Sequence, residues 1–231
     1  MSGTVTLSII MPVLDEAAGI EAALQALAPY RKRGVEVIVV DGGSRDATAA
    51  LARPLADYVI MAPRGRSLQM NAGAAAARGD ALLFLHADTN LPENADRLIL
   101  DGLARSGRGW GRFDVRFDGG GLLAMTAVMM NTRSRLTGIA TGDQAMFAAR
   151  AAFEAAGGFP PIALMEDVAL SAHLKRISRP LCLTARATTS ARRWQRHGVL
   201  RTILLMWKLR LGYYFGADPV RLAQTYGYAE R

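Results

Sequence analysis

Residues 82–89 read Leu-Leu-Phe-Leu-His-Ala-Asp-Thr, an apolar run that ends abruptly on an imidazole and a carboxylate. A strand buried on both faces gives such a run, and in a parallel sheet the carboxyl end of a strand is where a ligand cleft opens. His86 and Asp88 are therefore expected at a cleft, provided that neighbouring stretches repeat the pattern.

Upstream they do. Residues 6–11 are apolar and stop at Pro12, residues 35–40 are β-branched and stop at Asp41-Gly42-Gly43-Ser44, and residues 58–61 are a short third run. Ile20, Ala23, Leu24 and Leu27 recur at helical spacing, with Asp15 available as a cap; Ser44 can cap a helix through Ala52. An Ala-rich segment from Ser67 to Ala77 is helical by propensity, and residues 81–87 are the fourth strand. This alternation predicts an α/β fold, a mostly parallel sheet with helices on both faces. Asp15, Asp41, residues 64–67 and residues 86–89 all fall at strand ends.

Downstream, a helix is expected over 94–104. Phe113, Val115 and Phe117 then alternate with Arg112, Asp114 and Arg116, which predicts a strand with one wet face. Gly119-Gly120-Gly121 breaks the pattern and divides one domain into halves at about 1–118 and 119–231. Beyond lie a helix over 122–135, a strand over 144–147, a helix from Arg150 to Gly157-Gly158, a helix over 166–176 and a short last strand over 181–185.

The chain of 231 residues is long enough for a sizeable core, and 51% hydrophobic content excludes disorder. Its net charge of +8 is unevenly placed: residues 171–231 hold 12 Lys and Arg against 2 Asp and Glu, residues 1–170 hold 16 against 18. Such a basic block suits a diphosphate, an anionic membrane surface or nucleic acid, or is simply a solvated face. Cys182 is the single cysteine, which excludes an internal disulfide. No basic-then-apolar leader opens the chain, and the apolar windows at 122–130 and 199–215 are too short or too charged to span a bilayer. A cytoplasmic protein is expected, with peripheral contact to the inner face of a membrane as an option.

Four groups of residues carry chemistry. Asp41 with its glycines can meet a base or ribose, or make an ordinary βα turn. His86 and Asp88 can hold Mg²⁺ or Mn²⁺, although a histidine before a turn also serves as a structural group. Glu166-Asp167 opens a helix, where acids cap the dipole or, within reach of a hydroxyl, act as general base. Arg192-Arg193-Trp194 suits phosphate oxygens. The apolar helix that follows, broken by Arg201, Lys208 and Arg210, either packs on the sheet or lies in a membrane interface.

Read in order, SIIMPVLDE, VIVVDGGSRDAT, GRSLQMNAGAAAARGDALLFLHADT, TGDQAMFAAR, GGFPPIALMEDVALSAHL and RRW resemble the family 2 glycosyltransferases of GT-A fold, a Rossmann-like architecture. Within that family the chain is most similar to the small bacterial group with His-Ala-Asp-Thr in place of the acidic triplet. The resemblance implies an inverting, metal-dependent transfer of a sugar from a nucleoside diphosphate sugar, most often a UDP-sugar, to an acceptor hydroxyl, with Mn²⁺ or Mg²⁺ as cofactor. It implies that Pro12, Asp15 and Glu16 border the nucleoside, that Asp41 binds the base, and that Arg66 and Asn71 line the nucleotide pocket. It further implies Asp88 as metal ligand beside His86, Asp167 as catalytic base beside Glu166, and Arg192, Arg193 and Trp194 at the diphosphate and acceptor. The first half then binds nucleotide and the second binds acceptor. Gly42 stands where relatives often carry a second aspartate, and the glutamine that accompanies Arg-Trp in processive members is missing.

The apolar, cationic C-terminal region makes a lipid or lipid-linked acceptor an expectation. Two competing functions are a nucleotidyltransferase, which calls for a Gly-rich basic loop where this chain has Pro12-Val13-Leu14-Asp15-Glu16, and a non-catalytic module binding membrane or nucleic acid. Nucleic acid is the less expected partner.

Overall fold

A computed structural model describes residues 6–192, 194 and 198–227. The first part is strand–helix alternation: β1 (Leu7–Val13), α1 (Ile20–Arg31), β2 (Glu36–Asp41), α2 (Thr48–Ala52), β3 (Tyr58–Met61), α3 (Arg66–Ala76) and β4 (Ala81–Phe84). Then come β5 (Thr89–Asn90), α4 (Ala95–Ser106), β6 (Trp110–Phe117), α5 (Leu122–Thr137), a 3₁₀ turn (Gly142–Gln144), β7 (Phe147–Ala149) and α6 (Arg150–Ala155). The chain continues through α7 (Glu166–Ile177), β8 (Leu181–Thr189), α8 (Val199–Tyr214) and α9 (Pro219–Tyr226).

One eight-stranded sheet runs through these elements in the order β3-β2-β1-β4-β7-β6-β8-β5. Pairings β3–β2, β2–β1, β1–β4 and β6–β8 are parallel, whereas β4–β7, β7–β6 and β8–β5 are antiparallel. The expected mostly parallel sheet is thus present, with β7 inserted against the common direction.

Alternation along the strands builds a core on each face. Ile9 and Met11 of β1, Val37 and Val39 of β2 and Leu83 of β4 pack with Leu24 of α1 and Ile99 of α4. Their neighbours Ile10, Ile38, Val40, Leu82 and Phe84 face the other way, onto Met70 of α3, Phe153 of α6 and Leu170 of α7. A third cluster joins Val115 and Phe117 of β6 to Leu123, Ala127 and Met130 of α5, with Val199, Ile203 and Met206 of α8 packed against it.

Three expectations need correction. The expected wet face of β6 is exposed only at Arg116; α5 covers the rest, leaving Arg112 with no exposed surface and Asp114 with 9%. The charges are tolerated because they pair: Arg112 binds Asp114 and donates to Ser134 Oγ and the Asn131 carbonyl, both at 3.1 Å, while Arg135 meets Asp114 at 2.7 Å. The last strand is longer than 181–185; a register shift at Phe113/Asp114 lets β8 follow β6 to Thr189. Neither Asp15 nor Ser44 caps a helix, since α1 begins at Ile20 after Gly19 and α2 at Thr48 after Ala47, both without a side-chain cap.

Candidate active site

The strand ends open a cleft of about 990 Å³. Pro12, Val13 and Glu16 from the end of β1, Arg66 from the start of α3, and His86, Ala87 and Asp88 after β4 form one wall. Facing them are Thr141, Gly142 and Asp143 of the 3₁₀ turn and Glu166 and Asp167 of α7, and Ser190, Arg192 and Trp194 follow β8. Thr202, Met206 and Arg210 of α8 complete the lining with part of α9.

Local chemistry explains each placement. Strand β4 stops at Phe84 because its next residues turn: the Thr89 amide donates to the His86 carbonyl at 3.1 Å. The Cε1–Nε2 edge of His86 lies against Gly142, where an added Cβ would come within 2.5 Å of the imidazole, and its Nδ1 stands 3.6 Å from Asp143 Oδ1. Glu166 and Asp167 enter the cleft because Met165, in left-handed backbone at φ +69°, turns the chain just before α7. Asp15 (φ +53°) and Ala145 (φ +44°) adopt the same rare conformation in loops bordering the cleft. Held backbone strain of this kind gathers at functional sites.

The acids perturb one another. Glu166 is buried, and its carboxyl is pushed up to about 7 by desolvation first and by Asp167 second. Asp167 is raised as well, by desolvation, although the Gly142 amide at 2.8 Å and the Val168 amide at 2.7 Å stabilise its charged form. The pair therefore tends to share a proton near neutral pH. Across the cleft Glu16 is raised by burial and then by Asp88, with Arg192 and Arg66 opposing.

The Asp88–Glu16 repulsion answers whether a divalent cation suits this cleft. Two carboxylates of mutually unfavourable charge are hard oxygen donors of the kind that Mg²⁺ or Mn²⁺ neutralises. Among the described residues no group of three or more His, Cys, Asp and Glu stands ready to enclose a metal, so an ion here would complete its shell with ligand oxygens or water.

Of the residues expected at the site, Pro12, Glu16, Arg66, His86, Asp88, Glu166, Asp167, Arg192 and Trp194 line the cleft. Arg193 lies outside the described residues. Asp15, Asp41 and Asn71 are not among the lining residues, and their side chains hold loops next to the cleft. Asp41 Oδ1 accepts from the Gly43 amide, the Ser44 amide and Ser44 Oγ at 3.0, 2.8 and 2.7 Å. Ser44 Oγ in turn accepts from the Asp15 amide, and Asp15 Oδ1 from the Arg45 amide, stapling the loops after β1 and β2. Asn71 places both ends of its amide on the Phe159 backbone, at 2.8 and 2.9 Å.

Several cleft residues escaped the sequence reading. Asp143 and Gly142 sit in the TGDQ stretch, whose Gly-Asp pair is a turn signal. Gln69 donates to the carbonyls of Val13 and Val40, both at 2.8 Å, and so locks two strand ends; only its buried position in α3 identifies it. Arg210 looked like a break in an apolar helix, and nothing local shows that it turns to the cleft.

Comparison with known proteins places these features in a lineage. The family model for glycosyl transferase family 2 matches residues 8–153. A PGL/p-HBAD biosynthesis glycosyltransferase of Mycobacterium bovis (strain BCG / Pasteur) is 39% identical over 98 residues, 39% of this chain and 38% of the relative. The chain thus covers less than two fifths of that relative's length. In fold it is similar to S. aureus TarS 1-349 in complex with UDP-GlcNAc, with a TM-score of 0.67 and 19% identity over 80% of this chain and 58% of that one. The mannosyltransferase PcManGT of Pyrobaculum calidifontis, in complex with GDP-Man and Mn²⁺, gives a TM-score of 0.65 and 19% identity over 98% of this chain and 70% of that one.

Proposed function

Because this chain belongs to glycosyl transferase family 2, we propose that it moves a sugar, with inversion, from a nucleoside diphosphate sugar to an acceptor hydroxyl, with a UDP-sugar as the first donor to test. The observation that carries the reading is the Glu166–Asp167 pair at the start of α7, opening onto the same cleft as Asp88, Arg66 and Arg192. A base and an anion-binding wall are the two things a displacement at an anomeric carbon requires.

In this mechanism the nucleotide lies along the β1 side, bordered by Pro12, Glu16 and Arg66. The loops that Asp15 and Asp41 staple together set the shape of that end. Asp167 accepts the proton of the acceptor hydroxyl as the hydroxyl oxygen bonds to the anomeric carbon and the bond to the diphosphate breaks. Glu166, buried beside it, holds the proton the pair shares and passes into the charged form as the pair empties. His86 stands near both carboxylates, beside Asp143 at 3.6 Å. Arg66 and Arg192 meet the departing diphosphate, and Trp194, edge to Phe117 with ring centroids 5.2 Å apart, closes the acceptor side. Asp88 would hold a divalent cation, whose chemistry there would be further neutralisation of the diphosphate.

Thermal unfolding against UDP, GDP, CDP and TDP, each with and without Mn²⁺, tests the reading. A nucleotide at ~100 times its dissociation constant adds about 2.7 kcal/mol, which is roughly 5–10 °C for a chain of this length. The expected result is a shift with one nucleotide that depends on Mn²⁺ and disappears in Asp88→Ala. Absence of a shift with all four overturns donor binding.

A further inference from the structure

Helix α8 has two faces with different surroundings. One carries Thr202, Met206 and Arg210 into the cleft. The opposite face carries Leu200, Leu204, Trp207, Leu211 and Tyr214, at intervals of three and four residues, exposed by 63, 71, 57, 53 and 82%. Phe215, just past the helix, is 80% exposed. Helix α5, whose Leu123, Ala127 and Met130 belong to the buried cluster onto which Val199, Ile203 and Met206 of α8 pack, likewise turns Leu122, Met125, Val128, Met129 and Leu136 outward. Ten of the sixteen exposed large hydrophobic side chains among the described residues thus belong to two helices that share one buried cluster, and Phe215 follows directly. Scattered exposed apolar residues are ordinary, but concentration on one surface marks a docking face.

Charge identifies the occupant. Neither α5 nor α8 contains an acidic residue, and Arg201 and Lys208 are exposed next to the apolar stripe of α8 with no ion-pair partner among the described residues. A second copy docking through the same face by a twofold axis would bring these cations together without an acid to meet them. An anionic lipid surface offers apolar depth for Leu204 and Trp207 and phosphates for Arg201 and Lys208, whose long stems reach the headgroups. Trp207 and Tyr214 are the aromatic types that settle at the boundary between headgroups and acyl chains. No helix among the described residues is long and apolar enough to cross a membrane, so attachment here is by lying on the surface.

We propose that the outer faces of α5 and α8 dock on an anionic lipid bilayer. Because the other face of α8 lines the cleft, docking lays the cleft beside the membrane, and the acceptor hydroxyl is then carried by a lipid. The acceptor clause rests on the sugar-transfer reading; the docking surface does not.

Flotation with vesicles of phosphatidylcholine alone or mixed with phosphatidylglycerol, at low and high salt, tests the surface. The full chain is expected to float with the anionic vesicles, with uptake falling as salt rises and at least ~10-fold lower in Leu204→Glu/Trp207→Glu and in Arg201→Glu/Lys208→Glu. All four side chains are exposed, and an unchanged thermal unfolding midpoint shows that the variants remain folded. Wild-type protein left at the bottom of the gradient with anionic vesicles overturns the proposal. So does equal, salt-insensitive uptake by neutral vesicles, or a dimer in sedimentation that Leu204→Glu/Trp207→Glu dissociates while vesicles recruit nothing. A nucleotide shift without flotation removes the docking surface and leaves sugar transfer standing; flotation without any nucleotide shift does the reverse.

Discussion

At the scale of single residues, the site depends on one buried acid beside another. Asp167 has its two oxygens steadied by the Gly142 and Val168 amides, while Glu166 has less compensation and rises to about 7. Asp167→Asn keeps the size and the seat at the start of α7 but cannot accept a proton. Turnover is expected to fall by at least ~100-fold with the unfolding midpoint nearly unchanged. The same pair sets the pH profile. Since the base must be free of the shared proton, kcat/KM should rise with pH and level off above about 7. In Glu166→Gln the neighbouring carboxylate is gone, and the acid limb should move to lower pH. An acid limb that stays in place in Glu166→Gln removes the coupling from the mechanism.

At the scale of elements, what holds the second half of the chain together is the packing of α5 on β6. Asp114 is the common partner of Arg112 and Arg135, and Asn131 completes the edge of β6 by bonding both the amide and the carbonyl of Val115, at 2.9 and 3.0 Å. Asp114→Ala leaves the Arg112 guanidinium fully buried without its carboxylate, and a loss of ~3–5 kcal/mol is expected in urea unfolding. Replacing both partners, as Arg112→Met/Asp114→Leu, should recover most of that loss, because the penalty lies in the orphaned charge more than in the missing attraction. A double variant no better than the single one argues that the pair does more than neutralise itself. Across the sheet the Asn71 amide does for the Phe159 loop what Gln69 does for β1 and β2: one side chain replaces a backbone partner that the sheet does not supply.

At the scale of the whole molecule, folding and protonation are linked through the cleft. Glu166 has a folded-state value raised above 4.5, so the native chain holds a proton that the unfolded chain releases. Its contribution to stability is present below about 4.5 and is lost as pH rises through about 7. Measured against Glu166→Gln, whose side chain does not titrate, the wild-type melting temperature should fall by about 5 °C or more across that window. A constant difference between the two proteins shows that burial does not perturb Glu166. The global charge pattern has its own consequence: the basic excess of the C-terminal quarter is shared between the cleft, through Arg192 and Arg210, and the outer face of α8, through Arg201 and Lys208.

Much of this was legible in the chain. Apolar runs ending near Pro12, Asp41 and His86 located the strands and the end of the sheet at which the cleft lies, although β1 continues through Pro12 to Val13, because a period of two and a strand end are local properties. The candidate acids were visible for the same reason: Asp88 and Glu166-Asp167 sit where an element begins or stops. What only the tertiary structure decided depends on partners far away in sequence. Arg112 and Asp114 have the pattern of a solvated face until α5 covers them. That Asp41 Oδ1 also ties down Ser44, and the Asn71 amide the Phe159 backbone, is visible only once the loops are brought together. The two faces of α8 carry much the same residue types, and which one meets the cleft follows from where α5 and α9 pack, since hydrophobicity alone does not distinguish a core from an exposed docking stripe.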